Sequence, residues 1–168
     1  MTKNRISFKG REIVLASASR TRRAMLDSAG IDFRIAPANI DEDAIKHSML
    51  ADGATGSDIA ATLAEQKARR VAPAFPGQPV LGSDQILLLD GIIVSKPADR
   101  AAALSQLKML RGRDHFLVSS ACILLDGEPV WRGSDSARLT MRNFSDEFAE
   151  AYLDAVGDIA LEGPGAYR

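Results

Sequence analysis

The residue type and spacing with the most chemical promise fall at Asp84. Over residues 80–89 the period of a strand puts Val80, Gly82, Asp84, Ile86 and Leu88 on one face, so a carboxylate interrupts an otherwise apolar side. A carboxylate in that place needs a cation or a task. Both a general base and a metal-bound aspartate gain from such partial enclosure. Gly82, two residues earlier, lets a ligand or another backbone approach closely.

Two lysines also stand at positions that call for a partner or a ligand. Lys67 lies four residues after Leu63 and four before Val71, in the middle of the helical stripe Ala60, Leu63, Ala64, Ala68 and Val71. An ammonium there must snorkel, pair with a carboxylate or face a cleft, because unpaired burial is costly. Lys96 precedes Pro97, which ends a strand and leaves the lysine close to the start of the next helix. Asp41, Glu42 and Asp43 follow one another after Ile40. Carboxylate oxygens are the natural ligands of Mg²⁺ or Mn²⁺, which bind through one or two of them plus substrate phosphates. The plainer reading of that run is a solvated acidic turn.

A phosphate site is spelled out earlier in the chain. An apolar strand over residues 12–16 runs into Ser17 and Ser19 and then into a helix that begins near Arg20. Either serine can cap it, and Gly30 stands where a left-handed residue would close it. The N–H groups and positive dipole end of such a helix attract anions, and the hydroxyls add donors. Met25, Leu26 and Ala29 form its expected apolar stripe, with Arg22 on the same face one turn nearer the serines. A capped surface helix with a solvated arginine is the alternative.

The elements expected to hold these groups follow in order. Residues 33–36 make a short strand ending at Pro37, and residues 37–56 read as a loose connection. Ser57 is the expected N-cap of the helix that carries Lys67. Asp90-Gly91 signals a tight hairpin after the Asp84 strand, and residues 99–110 a helix with Ala103, Leu107 and Leu110 inward. A long hairpin pairs residues 113–125 with 128–140 about Asp126-Gly127. On its first strand His115, Leu117, Ser119 and Ala121 share a face, and His115 reads as structural or exposed. The last helix starts at Ser145, buries Phe148, Ala151, Tyr152 and Ala155, and closes at Gly157.

Composition narrows the partners. The 168 residues suit one domain with a real core, and a net charge of −1 gives no basic field for a nucleic acid polymer or a membrane surface. An anionic ligand must therefore be held by local cations. A single cysteine, Cys122, excludes an internal disulfide, no run is apolar enough to span a membrane, and residues 1–10 lack a signal-peptide core. A cytoplasmic protein is the expectation. Aromatic residues, at 5%, are too few for a single-strand stacking platform. No Walker A loop, G-x-G-x-x-G turn or acyl-enzyme order of serine, histidine and aspartate is present. What remains is a polyphosphate site with a divalent metal, and hydrolysis by metal-activated water.

From Ile13 to Arg168 the chain resembles the Maf nucleoside triphosphate pyrophosphatases. The matching blocks are L-A-S-A-S-x-x-R-R-x-x-L from Leu15, I-D-E from Ile40, L-A-x-x-K-A from Leu63, G-S-D from Gly82 and K-P at Lys96. G-R-x-H from Gly112 and G-A-Y from Gly165 complete the set. The resemblance implies an α/β fold, an elongated mixed sheet with flanking helices and two lobes around a central cleft, like inosine triphosphate pyrophosphatase. It implies a single domain over residues 1–168, often paired in a homodimer. It also implies cleavage of a nucleoside triphosphate between the α and β phosphorus atoms. Asp84 would be the general base, Glu42 and Asp84 would hold Mg²⁺ or Mn²⁺, and Ser17, Ser19, Arg22, Lys67 and Lys96 would grip the phosphates.

The sequence departs from the family pattern in three places. Arg20 and Thr21 stand where many members have proline and arginine. Gln85 replaces the threonine usual in the dTTP and UTP branch, so Ser83-Asp84-Gln85 is similar to the branch that prefers 7-methyl-GTP, with Gln85 as a substrate-binding residue. Members normally continue beyond the position of Arg168 through a glycine loop, strand and helix. A nucleotide-binding regulator linked to septum formation, inactive because truncated, is the alternative, as is a dTTP/UTP-preferring pyrophosphatase. A nucleotidyltransferase using the same metal and phosphate elements would need a second substrate.

Overall fold

The structure, a computed structural model, describes Phe8 and residues 10–167. The reading of residues 1–10 therefore lies mostly outside the described residues. A three-residue strand inside the sheet explains much of the rest: β1 (Ile13–Leu15) is buried at all three positions and runs parallel to both β2 (Phe33–Ile35) and β3 (Pro79–Leu89). A strand covered on both faces has to be continuously apolar, and Ile-Val-Leu is. Strands β4 (Ile92–Val94), β5 (Asp114–Leu125) and β6 (Glu128–Thr140) complete a mixed sheet ordered β2-β1-β3-β5-β6, with β4 antiparallel on β3. The helices are α1 (Arg20–Ser28), α2 (Glu42–Ala51), α3 (Gly56–Val71), α4 (Arg100–Leu110) and α5 (Asp146–Val156). This is the mixed α/β class that the sequence leads one to expect.

Two compact units emerge. One holds the described residues up to Asp84 together with Ser119–Ser134, and its core joins Val14, Ala16, Ala68, Val71, Val80, Cys122 and Leu124. The other holds Gln85–Val118 and the described residues from Asp135 onward. It has one cluster of Ala103, Leu107, Ala149, Leu153, Ala160 and Ala166, and another of Leu87, Leu89, Val94 and Leu110. Both hairpins turn as their Asp-Gly pairs demand, with φ of 50° and 79° at Asp90 and Gly91 and of 53° and 84° at Asp126 and Gly127.

Several local expectations give way. Helix α1 buries no residue: Met25 is 65% exposed, and only Arg22 and Leu26, one turn apart, are half-buried. The ridge facing inward starts at an arginine with polar partners, and that fixes the rotation of the helix in place of the Met25, Leu26, Ala29 stripe. Residues 37–56 are not a bare connection, since Asp41 caps the ten-residue α2 by accepting from the Ala44 N–H. Thr55, not Ser57, caps α3, because Thr55 and Asp58 stand three apart and satisfy each other's backbone N–H in a capping box.

Along β3 the alternation holds through Ile86, after which Leu87 and Leu89 are buried and Leu88 only half so. Leu87 and Leu89 pack with Val94 and Leu110, so apolar neighbours now cover the other face. On β5, His115 is buried, but beyond it the buried set is Val118, Ser120, Cys122 and Leu124 and not Leu117, Ser119 and Ala121. Helix α5 buries Ala149 and Leu153, while Phe148 remains 47% exposed. Its ring lies against Phe144, with centroids 5.6 Å apart, and under the Arg142 guanidinium, which keeps it at the surface.

Candidate functional site

Helix α3 and strand β3 are held close by a glycine. Gly82 is buried, and only hydrogen at that position fits against the backbone of Ala64 and Ala68. Lys67, on the α3 face turned to the sheet, thereby meets Asp84, two residues along the strand. Its ammonium donates to Asp84 Oδ1 at 2.6 Å, and the two residues are only 5% and 6% exposed. Of the three fates open to a lysine on an apolar stripe, pairing with a carboxylate is the one realised.

The pairing goes further than the strand. Lys67 Nζ also lies 2.9 Å from Glu42 Oε1, at the first position of α2, so one ammonium joins two carboxylates. Asp41 fixes that helix start by capping it, and this is what aims Glu42. On the other side Arg22 Nη2 stands 3.8 Å from Asp84 Oδ1, and Arg22 Nη1 donates to Ser17 Oγ at 3.1 Å. Ser17 is 7% exposed and accepts as well from the Ser19 N–H at 3.2 Å, which leaves its own hydroxyl proton to donate.

The helix start is capped from within. Ser19 Oγ accepts from the Arg22 N–H at 3.4 Å, and the Ser19 carbonyl accepts from the Arg23 N–H at 3.1 Å. An anion at this end of α1 would therefore be met by the hydroxyl of Ser17, the guanidinium of Arg22 and the dipole. Gly30 closes the far end with φ of 70°, its N–H donating to Asp27 and that of Ile31 to Leu26.

Ser17, Ser19, Arg22, Glu42, Lys67 and Asp84 thus share one linked set of contacts inside the first unit. Gln85 and Lys96 belong to the second unit and are exposed. Gln85 follows Asp84 on the same strand and so projects to the opposite face. A groove of about 360 Å³ lined by Thr62, Glu65, Gln66, Cys122, Arg132 and Ser134 contains none of the expected site residues. The sequence places Glu42 and Lys67 in one site with different tasks, one on the metal and the other on the phosphates, and does not pair them with each other. The signal that could have joined them is the Asp41 cap, which makes Glu42 the first residue of a helix.

The donor set suits a hard divalent cation. Glu42 and Asp84 offer carboxylate oxygens that already converge on one positive charge. Among the described residues no three His, Cys, Asp or Glu gather as a metal cage. Two carboxylates completed by ligand oxygens is the way Mg²⁺ is ordinarily held.

The fold belongs to the mixed α/β class. The chain itself belongs to the family described as Maf-like protein, whose model matches residues 12–168. The nucleoside triphosphate pyrophosphatase of Ruegeria sp. (strain TM1040) is 47% identical over 156 residues, 93% of this chain and 78% of that protein. Nucleoside triphosphate pyrophosphatase 1 of Jannaschia sp. (strain CCS1) is also 47% identical, over 93% of this chain and 79% of its own length. The solved HAM1 protein from Coxiella burnetii aligns with 76% of this chain and 70% of its own at a TM-score of 0.45 and 16% identity.

Proposed function

We propose that the chain hydrolyses a nucleoside triphosphate to the monophosphate and pyrophosphate, with Asp84 as general base. One observation supports this most: a buried carboxylate is held by Lys67 and approached by Arg22 beside a helix start that carries Ser17. Asp84 would accept the proton of the attacking water as the new P–O bond forms at the α phosphorus. The bond to the bridging oxygen breaks, and its electrons leave with pyrophosphate. Arg22, Lys67 and the Ser17 hydroxyl would take the phosphate oxygens, whose charge grows toward the leaving group. Ser19 would hold Ser17 and the helix start in place.

Glu42 and Asp84 are the residues suited to Mg²⁺ or Mn²⁺, and such an ion would supply charge neutralisation on the phosphate oxygens when bound. Among bases, Gln85 after Ser83-Asp84 supports 7-methyl-GTP over dTTP and UTP, on the strength of the branch that it resembles. The test is product analysis on 7-methyl-GTP, dTTP, UTP and the common nucleotides with either metal. Monophosphate and pyrophosphate in equal amounts are expected, fastest from 7-methyl-GTP. Orthophosphate alone, or a need for a second substrate, would overturn the reading, and faster turnover of dTTP or UTP would overturn the base assignment.

A further inference from the structure

We infer that Lys67 is a built-in stand-in for the divalent cation, so that metal enters the site only together with a polyphosphate. The inference rests on the proposed activity and concerns the order in which its site is filled. The Lys67 ammonium touches both carboxylates that suit a metal, Asp84 at 2.6 Å and Glu42 at 2.9 Å. A cation seated between two carboxylate oxygens at such distances leaves no seat for a second one there.

Arg22 cannot do the same. Its guanidinium is 3.8 Å from Asp84 and is engaged with Ser17, and it makes no ion pair with Glu42 among the described residues. The seat is needed even when no ligand is bound, because Asp84 is 6% exposed and a buried carboxylate without a cation is strongly destabilising. What can move the lysine is an anion stronger than the pair it leaves. A triphosphate draws the ammonium onto its oxygens and at the same time brings the extra ligands that two carboxylates lack. Lysine, a flexible point charge, is suited to that exchange in a way that a planar guanidinium is not.

The test is Mn²⁺ affinity of the nucleotide-free chain, read by electron paramagnetic resonance titration, in the unaltered protein and in Lys67→Met, Lys67→Gln and Arg22→Gln. Emptying the seat should tighten Mn²⁺ binding roughly tenfold or more, whereas Arg22→Gln removes the same charge without emptying it and should give less than about threefold. Lys67→Gln keeps an amide that can donate to a carboxylate, so the comparison survives if Lys67→Met does not fold. Unchanged affinity in the Lys67 variants, or an equal gain in Arg22→Gln, overturns the inference. Pyrophosphate release by the unaltered protein is scored separately, so a failure of the proposed activity is distinguishable from a failure of the lysine's role.

Discussion

Gly82 and Ala64 are packed so closely that a Cβ on the glycine collides with the alanine's carbonyl oxygen and stands 2.8 Å from the Ala68 amide nitrogen. Backbone cannot give way as a flexible side chain can, so Gly82→Ala has to push α3 off β3. Overpacking of this kind costs about 3 kcal/mol or more. A Tm lowered by roughly 5–10 °C in thermal unfolding is expected for a chain of this size. Because Lys67 rides on that helix, turnover should fall too. A variant with unchanged Tm would show that the approach is not as tight as described.

Asp84→Asn keeps the shape of the side chain and an oxygen that accepts from Lys67, but it removes the base. Under the proposed chemistry kcat should fall by about 10²–10⁴-fold. Nucleotide affinity, measured by equilibrium dialysis, should stay within about threefold, since Arg22, Ser17 and Lys67 remain. Full turnover would refute the base assignment, and lost binding would make Asp84 a structural anchor instead.

Much of this is legible in the amino-acid sequence. The polar interruptions at Asp84 and Lys67 each broke an apolar period, and each turned out to be the other's partner. The Asp-Gly turns and the glycine at position 30 also declared themselves through backbone conformations that few other residues adopt. Less legible was rotation. The stripes expected on α1 and α5 missed because period alone cannot rank an exposed Met25 against an inward Arg22, or Phe148 against its neighbour Ala149. Tertiary contacts decide that, and they also hid α2, whose cap at Asp41 reads in the sequence as part of an acidic turn or a metal-binding run and not as a helix start.

The capping box of α3 makes a pH-dependent contribution. The Thr55 hydroxyl and backbone N–H hold the Asp58 carboxyl below its ordinary range. A carboxyl depressed in the folded state favours folding above the unfolded carboxylate range, and that contribution disappears as pH falls through the folded value. Thr55→Ala should therefore lower Tm by a few degrees at neutral pH and by less in acid. A deficit that does not shrink on acidification would place the effect outside the Thr55–Asp58 pair.

Tyr167 and His115 give the opposite sign. The Tyr167 hydroxyl lies 2.7 Å from His115 Nε2, while His115 Nδ1 is buried with no hydrogen-bond partner among the described residues. Burial raises the Tyr167 phenol above its ordinary range, so the folded chain keeps that proton longer than the unfolded chain does. The resulting stability is complete below the unfolded phenol range and is lost as pH climbs through the folded value. Tyr167→Phe strands the second imidazole nitrogen as well and should cost roughly 1–3 kcal/mol at neutral pH. Chemical denaturation across neutral and alkaline pH should then show the unaltered protein losing part of its advantage over the variant as the phenol ionises. If the two curves stay parallel through that range, the phenol does not titrate as a buried group, and the contact with His115 does not hold the loop after α5.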